Sequence, residues 1–372
     1  MGSKARGLAD LGNVYDDGAL SNRNLIINGA MQVAQRGTSA THGGSGTEDY
    51  LSSDRWAVNA DGGGSQISVD VSTDAPDGFS NSLLISPDAS VTTLTGGHRI
   101  ILKHKIEGQN LAQWGYATAS AKPLTLSFWV KSNVTGDVSV VLNATEICGQ
   151  TYTINTSGAW EYKSITFPAS ATGSLITYDN TTGLSVDMWL VAGPAFQGTY
   201  AGDGVWTTAA NTSYTQASNI NLYSSASNTF QITGVQLEVG DTATPFEHPR
   251  SYGDELARCK RYYEKSYNQG TALATATALG ARSSGGNQAA NTTGEVGTYL
   301  SFAASKRAAP SVTIYDLAGN SGKTTISLYG TGTTANQTGS VSSIGQGSFF
   351  VSRPSGSNAT ELHVHFTADA EL

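Results

Sequence analysis

The chain has 372 residues, of which 13% are charged and 43 are glycine, and its formal net charge at pH 7 is −8. This length predicts two domains and a tail rather than one core. The acidic balance argues against a general nucleic-acid partner, because neutralising phosphates requires a basic surface. No apolar run approaches the roughly 20 residues that cross a bilayer, which argues against membrane insertion.

The N-terminal segment, residues 1–23, is polar and has only Leu8, Leu11 and Val14 as sparse apolar anchors. Such a segment should not form a core alone, and a docking arm and a disordered leader fit it equally well. It lacks the apolar stretch of a signal peptide, so we expect synthesis in a cytoplasm without Sec export.

Residues 24–250 consist of strand-like runs separated by turn residues. The runs are LTLSFWVKS, DVSVVLNA, EYKSITF, SVDMWLVAG and NTFQITGVQLEV. With so little helical composition elsewhere, this pattern predicts an all-β chain whose large domain is a jelly-roll β-sandwich of two antiparallel sheets.

Residues 251–267 have a different period and predict a short linking helix. Tyr252, Leu256, Cys259 and Tyr263 are spaced four, three and four residues apart, which places them on one helical stripe. A helix this short is marginal alone and needs packing. We expect three copies of the stripe to meet in a homotrimer, with burial against the chain's own β-domains as the alternative.

Residues 268–372 predict a smaller C-terminal β-domain. Leu362, Val364 and Phe366 alternate with His363 and His365, so the strand has one apolar face. About 100 residues form only a modest core, and packing three copies about an axis would complete it.

Several of these segments resemble bacteriophage tail-fibre and host-recognition proteins, particularly those of marine phages. The strand, TPFEH turn and ELARCKRYYEK helix within Ile232–Tyr263 resemble one segment of such proteins. Asn24–Gly37, followed by Asp54-Arg55-Trp56, resembles the opening of a fibre module with a carbohydrate-binding-like sandwich. Ser127–Lys131 is similar to its central strand, and the sequence from Pro310 onward to a C-terminal fibre module.

The resemblance implies a virion tail fibre made in the host cytoplasm. The N-terminal arm would bind other virion tail proteins, and the jelly-roll or tip domain would attach to host surface polysaccharide. Two alternatives remain: a structural virion protein, such as a head fibre, decoration protein or tail connector, and a polysaccharide depolymerase.

The sequence favours binding over catalysis. It contains no GxSxG elbow, HExxH pair, Walker loop or metal-type cysteine cluster. Glu48, Asp49 and Asp54 form the densest acidic group before the helix, but they flank no obvious cleft, and solvation or calcium ligation suits them better than acid/base work. We therefore predict a protein that is not an enzyme and needs no cofactor.

Saccharide recognition requires flat aromatic faces with polar groups around them. Trp129 and Trp189 lie inside strand-like runs, which predicts that both belong to the core. The candidate glycan-binding residues in loop-like sequence are Trp114, Tyr116, Tyr200, Trp206 and Tyr214, with a structural role as the alternative for each.

His363 and His365 raise one metal hypothesis. Two residues apart in a strand, they face the same side, and three chains around an axis could offer six nitrogens. The resemblance implies iron, since trimeric phage fibres hold it in His-x-His sites. The simpler interpretation, which we prefer, is that both histidines face solvent.

The trimer hypothesis predicts the solution mass. Light scattering should give three times the chain mass for the full-length protein and one chain mass after deletion of Tyr252–Leu372. A monomer in both forms would contradict independent trimerisation and would favour a structural protein whose oligomeric state is imposed by the virion.

Overall fold

The computed structural model describes residues 23–197, 200–210, 214–249, 251–284, 296–328, 332–353 and 359–372. Nearly all of the predicted N-terminal arm, residues 1–22, therefore lies outside the described residues. The chain divides into two compact units. The first contains Ser39–Leu51, Trp56–Arg250 and the residues before Val33, and the second contains Val33–Thr38, Ser52–Arg55 and Ser251–Leu372.

The described elements are mainly strands, with one α-helix and short 3-10 turns. In chain order they are β1 (Ser39–His42), β2 (Ser45–Tyr50), β3 (Trp56–Asp61), β4 (Ile67–Ser72), β5 (Ser82–Pro87), β6 (Arg99–Glu107), β7 (Leu124–Ser132), β8 (Gly136–Asn143), β9 (Ile147–Ile154), β10 (Glu161–Phe167), β11 (Thr182–Ala192), β12 (Trp206–Thr207), β13 (Phe230–Val239), α1 (Tyr252–Lys260), β14 (Tyr263–Lys265), β15 (Arg282–Ser283), β16 (Val296–Ser301), β17 (Ser311–Tyr315), β18 (Lys323–Leu328), β19 (Gly332–Thr338), β20 (Ser340–Ser342), β21 (Ser348–Arg353) and β22 (Ala359–Asp369). None of the helices in the described ranges combines the length and the apolar character needed to cross a membrane.

The first unit is a sandwich of two antiparallel sheets. One sheet has the strand order β1-β4-β5-β13-β7-β10, and the other has the order β12-β9-β8-β11-β6-β3-β2. Side chains from both sheets form one core; along β7, Leu126, Phe128 and Val130 are fully buried. The prediction of an all-β, jelly-roll-type β-sandwich is confirmed.

The second unit is a smaller β-structure organised around β22. This strand pairs with β14, β15, β17 and β18, and β16, β21 and β20 form a separate three-stranded sheet. Leu362, Val364 and Phe366 on β22 are fully buried and pack with Phe349 on β21. The apolar face predicted for this strand is therefore present.

The linking helix predicted over residues 251–267 is wrong in its second half. Helix α1 starts at the N-cap Ser251, whose hydroxyl accepts a hydrogen bond from the Asp254 amide, and it ends at Lys260. Tyr263 is the first residue of β14 and pairs with Asp369 of β22. Backbone pairing with a strand about 100 residues away overrides the local helical period.

This ending disrupts the predicted trimer stripe. Tyr252 is 46% exposed and Leu256 is half-buried, whereas Cys259 and Tyr263 are buried within the second unit. The four residues therefore form no continuous exposed seam, which agrees with the alternative of burial against the chain's own β-domain. The homotrimer itself stays a prediction.

Two arginines from early in the sequence belong to the second unit. Arg55 is fully buried, pairs with Glu371, and lies 3.5 Å from the centre of the Tyr262 ring. Arg36 pairs with Asp369 at 2.9 Å and with Glu371 at 3.2 Å. Burial alone would lower the pKa of Arg36, but the two carboxylates outweigh it, so this guanidinium stays charged.

The Arg55 pair predicts a large stability effect. Arg55→Ala should lower the free energy of unfolding by about 3 kcal/mol, because Glu371 loses one of its two arginines in a buried place. Urea denaturation followed by circular dichroism measures this change. Arg258→Ala is the control: Arg258 is 45% exposed in its pair with Glu255, so we expect a loss below about 1 kcal/mol. Equal losses in the two variants would contradict the assigned role of Arg55.

Asp54 predicts a pH dependence of stability. It accepts hydrogen bonds from the backbone and side-chain nitrogens of Gln35, and burial raises its pKa to about 6. Because the unfolded value is about 4, the folded state binds this proton more tightly. The stabilising contribution of the bound proton is fully present below about pH 4 and is lost as the pH rises to about 6. The pKa difference of about two units between the folded and unfolded states corresponds to about 3 kcal/mol of unfolding free energy.

Asp54→Asn removes this titration. The Tm of the natural protein relative to the variant should therefore fall between pH 4 and pH 6, as scanning calorimetry would show. Parallel Tm profiles over that range would count against a raised Asp54 pKa.

Candidate functional site

The outer face of the seven-stranded sheet carries a line of polar side chains. On β6, Leu102 and Ile106 point into the core, so Lys103 and Lys105 point outward. In the strand register, Lys103 lies opposite Asp187 of β11, and Lys105 lies opposite Ser185. These side chains therefore stand next to one another on the surface of the sandwich.

A cavity of about 390 Å³ opens over this face and is here called the lysine groove. Its volume is within the range of about 300–1,000 Å³ typical of small-ligand sites. Leu175, which is 64% exposed, supplies an apolar patch to the wall. The lining also includes Lys103, Lys105, Asn143, Thr145, Ile176 and Ser185.

Two acidic side chains stand beside the lysines of the groove. Glu48 on β2 lies 3.1 Å from the Lys103 ammonium and 2.5 Å from that of Lys105. Asp187 lies 3.9 Å from Lys103 and accepts a hydrogen bond of 2.5 Å from the Ser185 hydroxyl. Both lysines of the groove thus have acidic partners, which lie beside the groove rather than in its lining.

Burial and pairing act differently on the two carboxyl groups. Burial favours the neutral acid at Glu48, but the two lysines outweigh it and hold the pKa of Glu48 below its usual range. At Asp187, burial dominates and raises the pKa, although Lys103 opposes the shift. Glu48 is therefore ionised near neutral pH, where it accepts hydrogen bonds and is a poor proton donor.

The apolar part of the same face is covered by the loop that follows β11. Trp189 is 2% exposed, and its ring lies 5.0 Å from that of Phe196 and 5.2 Å from that of Tyr214. Tyr200 lies over Gly149, where an added Cβ would stand 2.5 Å from the Tyr200 ring, so a larger residue at position 149 would displace it. The lysine-bearing part of the face is open as a groove.

The structure separates the five predicted glycan-binding residues. Tyr200 and Tyr214 lie in the loop that covers the outer face, as just described. Trp114 and Tyr116 are fully buried, with ring centroids 4.5 Å apart, and the partly exposed Trp206 packs against both. Trp114 and Tyr116 therefore fill the core beneath their loop and present no face to a sugar, which favours the structural alternative for both.

The strand-based prediction of core residues is correct for Trp189 and wrong for Trp129. Trp129 lies on the outer face of the six-stranded sheet, between the core residues Phe128 and Val130, and is only partly buried. Being inside a strand does not decide burial, since alternate residues of a sheet face opposite sides.

His363 and His365 do face the same side of β22, but His365 is not open to solvent. It is fully buried, with Nδ1 3.1 Å from the Ser266 hydroxyl and Nε2 3.0 Å from the Thr277 carbonyl. The preferred interpretation of two solvent-facing histidines is therefore wrong for His365. Burial also lowers the pKa of this imidazole, which stacks 3.9 Å from the Tyr267 ring.

These contacts argue against His365 as a metal ligand, because both of its ring nitrogens already have hydrogen-bond partners. Within the described part of the chain, no group of three or more histidine, cysteine, aspartate or glutamate side chains is placed to hold a metal ion. An iron shared by three chains stays a prediction.

Sequence reasoning missed the residues of the lysine groove. A signal was present: Lys103 and Lys105 stand two apart in the otherwise apolar run IILKHKIE, so both had to face one side of a strand. Glu48, which the sequence groups with Asp49 and Asp54, lies in β2 within reach of both lysines.

No protein-family model and no curated protein matches this chain. Similar solved structures include the enzymatically active domain of tailspike protein 4 of bacteriophage CBA120, with a TM-score of 0.30 and 12% identity over 58% of this chain and 21% of that one. Another is the family 11 carbohydrate-binding module of a cellulosomal cellulase of Clostridium thermocellum, with a TM-score of 0.28 and 13% identity over 53% of this chain and 97% of that one.

A third is a xylan-binding domain from Paenibacillus barcinonensis, with a TM-score of 0.24 and 13% identity over 57% of this chain and all of that one. The chain spans only about a fifth of the tailspike domain. TM-scores this low say nothing about a ligand or an activity of this chain.

Proposed function

We propose that this chain is a virion tail-fibre protein of a tailed bacteriophage that attaches to host-surface saccharide, and that the lysine groove holds the sugar without cleaving it. The observation that carries the proposal is the groove that Lys103 and Lys105 help to line, with Glu48 and Asp187 as the acidic partners of these lysines beside it. The phage assignment rests on the sequence resemblance of Ile232–Tyr263 and of the two chain ends.

A polyhydroxylated ligand suits this groove. Each sugar hydroxyl both donates and accepts a hydrogen bond, and the groove lining offers ammonium and amide donors beside amide and hydroxyl acceptors. A phosphate-bearing ligand suits it less well, because Glu48 already pairs with both lysines and would repel a phosphate. The exposed Leu175 side chain can contact the apolar face of a ring.

The state of the carboxyl groups favours binding over hydrolysis. Glycoside cleavage needs a protonated acid beside a second carboxylate. The pKa of Glu48 is lowered, so it does not supply the proton, and Asp187 is 2% exposed beneath Lys103 and Ser185.

The proposal is tested by isothermal titration calorimetry of the full-length protein with bacterial surface polysaccharides. Lys105→Ala should weaken binding at least tenfold, because a hydrogen bond to a charged group contributes about 1.5–3 kcal/mol. The variant should remain folded, because Glu48 still forms its ion pair with Lys103. Lys163→Ala is the matched control, because Lys163 forms a 2.6 Å ion pair with Glu161 that is about as exposed as the pair of Lys105 with Glu48. The Kd of this variant for polysaccharide should differ less than twofold from that of the natural protein.

Three outcomes would contradict parts of the proposal. Equal affinity of Lys105→Ala and the natural protein would exclude the lysine groove as the binding site. New reducing ends after incubation with polysaccharide would show a depolymerase. Absence of the chain from tail tips in immunogold-labelled phage particles would contradict the fibre assignment.

A further inference from the structure

A second surface, on the opposite sheet of the first unit, groups three aromatic side chains. Trp129 on β7 and Tyr162 on the edge strand β10 are direct cross-strand partners. Their ring centroids are 5.5 Å apart, and the planes are inclined by 57°. Tyr162 is 47% exposed, and Trp129 points away from the core.

The third ring, Trp160, is held in place by a neighbouring ion pair. Its indole nitrogen donates to one carboxylate oxygen of Asp74 at 3.1 Å, and the other oxygen of Asp74 lies 2.6 Å from the Lys131 ammonium. The same ammonium lies 6.0 Å from the centre of the Trp160 ring. Side-chain contacts therefore fix the direction of the partly exposed indole, which reduces the entropy lost when a ligand stacks on it.

The charges beside these rings cancel. The Lys131–Asp74 pair contributes no net charge, and Lys131 holds the pKa of Asp74 below its usual range, so the carboxylate persists at neutral pH. Nucleic acid, whose bases also stack on aromatic rings, would require an excess of basic side chains here. An uncharged ligand fits a neutral surface.

Uncharged pyranose rings combine the two properties that this surface matches. Their axial C–H groups form apolar faces that stack on aromatic rings, and their hydroxyls hydrogen-bond to neighbouring polar side chains. Asp74 and Lys131 supply an acceptor and a donor beside the rings, and Gln231 of the adjacent strand β13 lies on the same face as Lys131.

We propose that Trp129, Trp160 and Tyr162, together with Asp74 and Lys131, form an aromatic platform that binds uncharged polysaccharide by stacking, as a second site separate from the lysine groove. The platform shares the ligand class of the proposed function but none of its residues. Each site can therefore fail without the other.

The test titrates the full-length protein with uncharged β-1,4-linked hexasaccharides of glucose, xylose and galactose. Tryptophan fluorescence and calorimetry follow binding, because two platform residues are partly exposed tryptophans. Tyr162→Ala and Trp160→Ala should each weaken the platform interaction about tenfold, and Trp160→Phe should recover part of it. Circular dichroism and Tm confirm that each variant is folded.

Two controls separate this site from others. Tyr299→Ala removes a tyrosine that is 65% exposed in the second unit and should leave the affinity unchanged. Lys105→Ala reports on the lysine groove, so the loss of affinity caused by Tyr162→Ala should be the same with and without Lys105. If only the platform variants lose affinity for the hexasaccharides, the result supports the platform even if the groove binds nothing. If only Lys105→Ala loses affinity, the result supports the groove and overturns the platform.

Two further results would overturn the inference. The first is a natural protein that binds none of the hexasaccharides. The second is a solution mass that falls on Tyr162→Ala, since this would show that the platform is a contact between copies of the chain.

Discussion

The two-residue alternation of side chains along each strand is the constraint on which the first unit depends. One face of each sheet is used by the shared core, as Phe128 and Val130 show on β7. Every residue between two core positions must then face outward. The same strands that stabilise the sandwich therefore place Lys103 and Lys105 on one surface and Trp129 on the other, and a one-residue slip would exchange these faces with the core.

The second unit depends on residues that are distant in sequence. Arg36 and Arg55 come from two short segments that lie before and between strands of the first unit, yet they pair with Asp369 and Glu371 at the end of the chain. A buried arginine without its carboxylate would be costly, so these segments and the C-terminus stabilise each other. Division of the chain into consecutive domains misses this arrangement.

The sequence predicted those features that local patterns determine. Strand periodicity identified the sandwich and the apolar face of β22, and helical spacing identified a helix in residues 251–267, of which α1 is the first half. Prediction from local patterns failed where contacts between other parts of the chain determine the structure. Tyr263 belongs to a strand because it pairs with Asp369. Trp114 is buried because Tyr116 and Trp206 pack around it. The preferred solvent-facing position of His365 failed for the same reason, since Ser266 and Thr277 enclose its ring.

The candidate groove was predictable only in part. That Lys103 and Lys105 share a face follows from their spacing, but their proximity to Glu48 and Asp187 depends on strand order, which places β6 between β3 and β11. No local pattern specifies that order. The same holds for Asp74, which lies 57 residues before Lys131 and orients Trp160 from the loop after β4.

The two proposed sites lie on the outer faces of opposite sheets, and sheets in a sandwich are separated by about 10 Å of core. A short oligosaccharide therefore cannot occupy the lysine groove and the aromatic platform of one chain together. A long polymer, or two neighbouring polymers on a cell surface, can do so, and the second contact then forms at a high effective concentration. Two shallow sites of modest affinity would thus select dense, polymeric saccharide over free sugars, which is the discrimination that attachment to a cell surface requires.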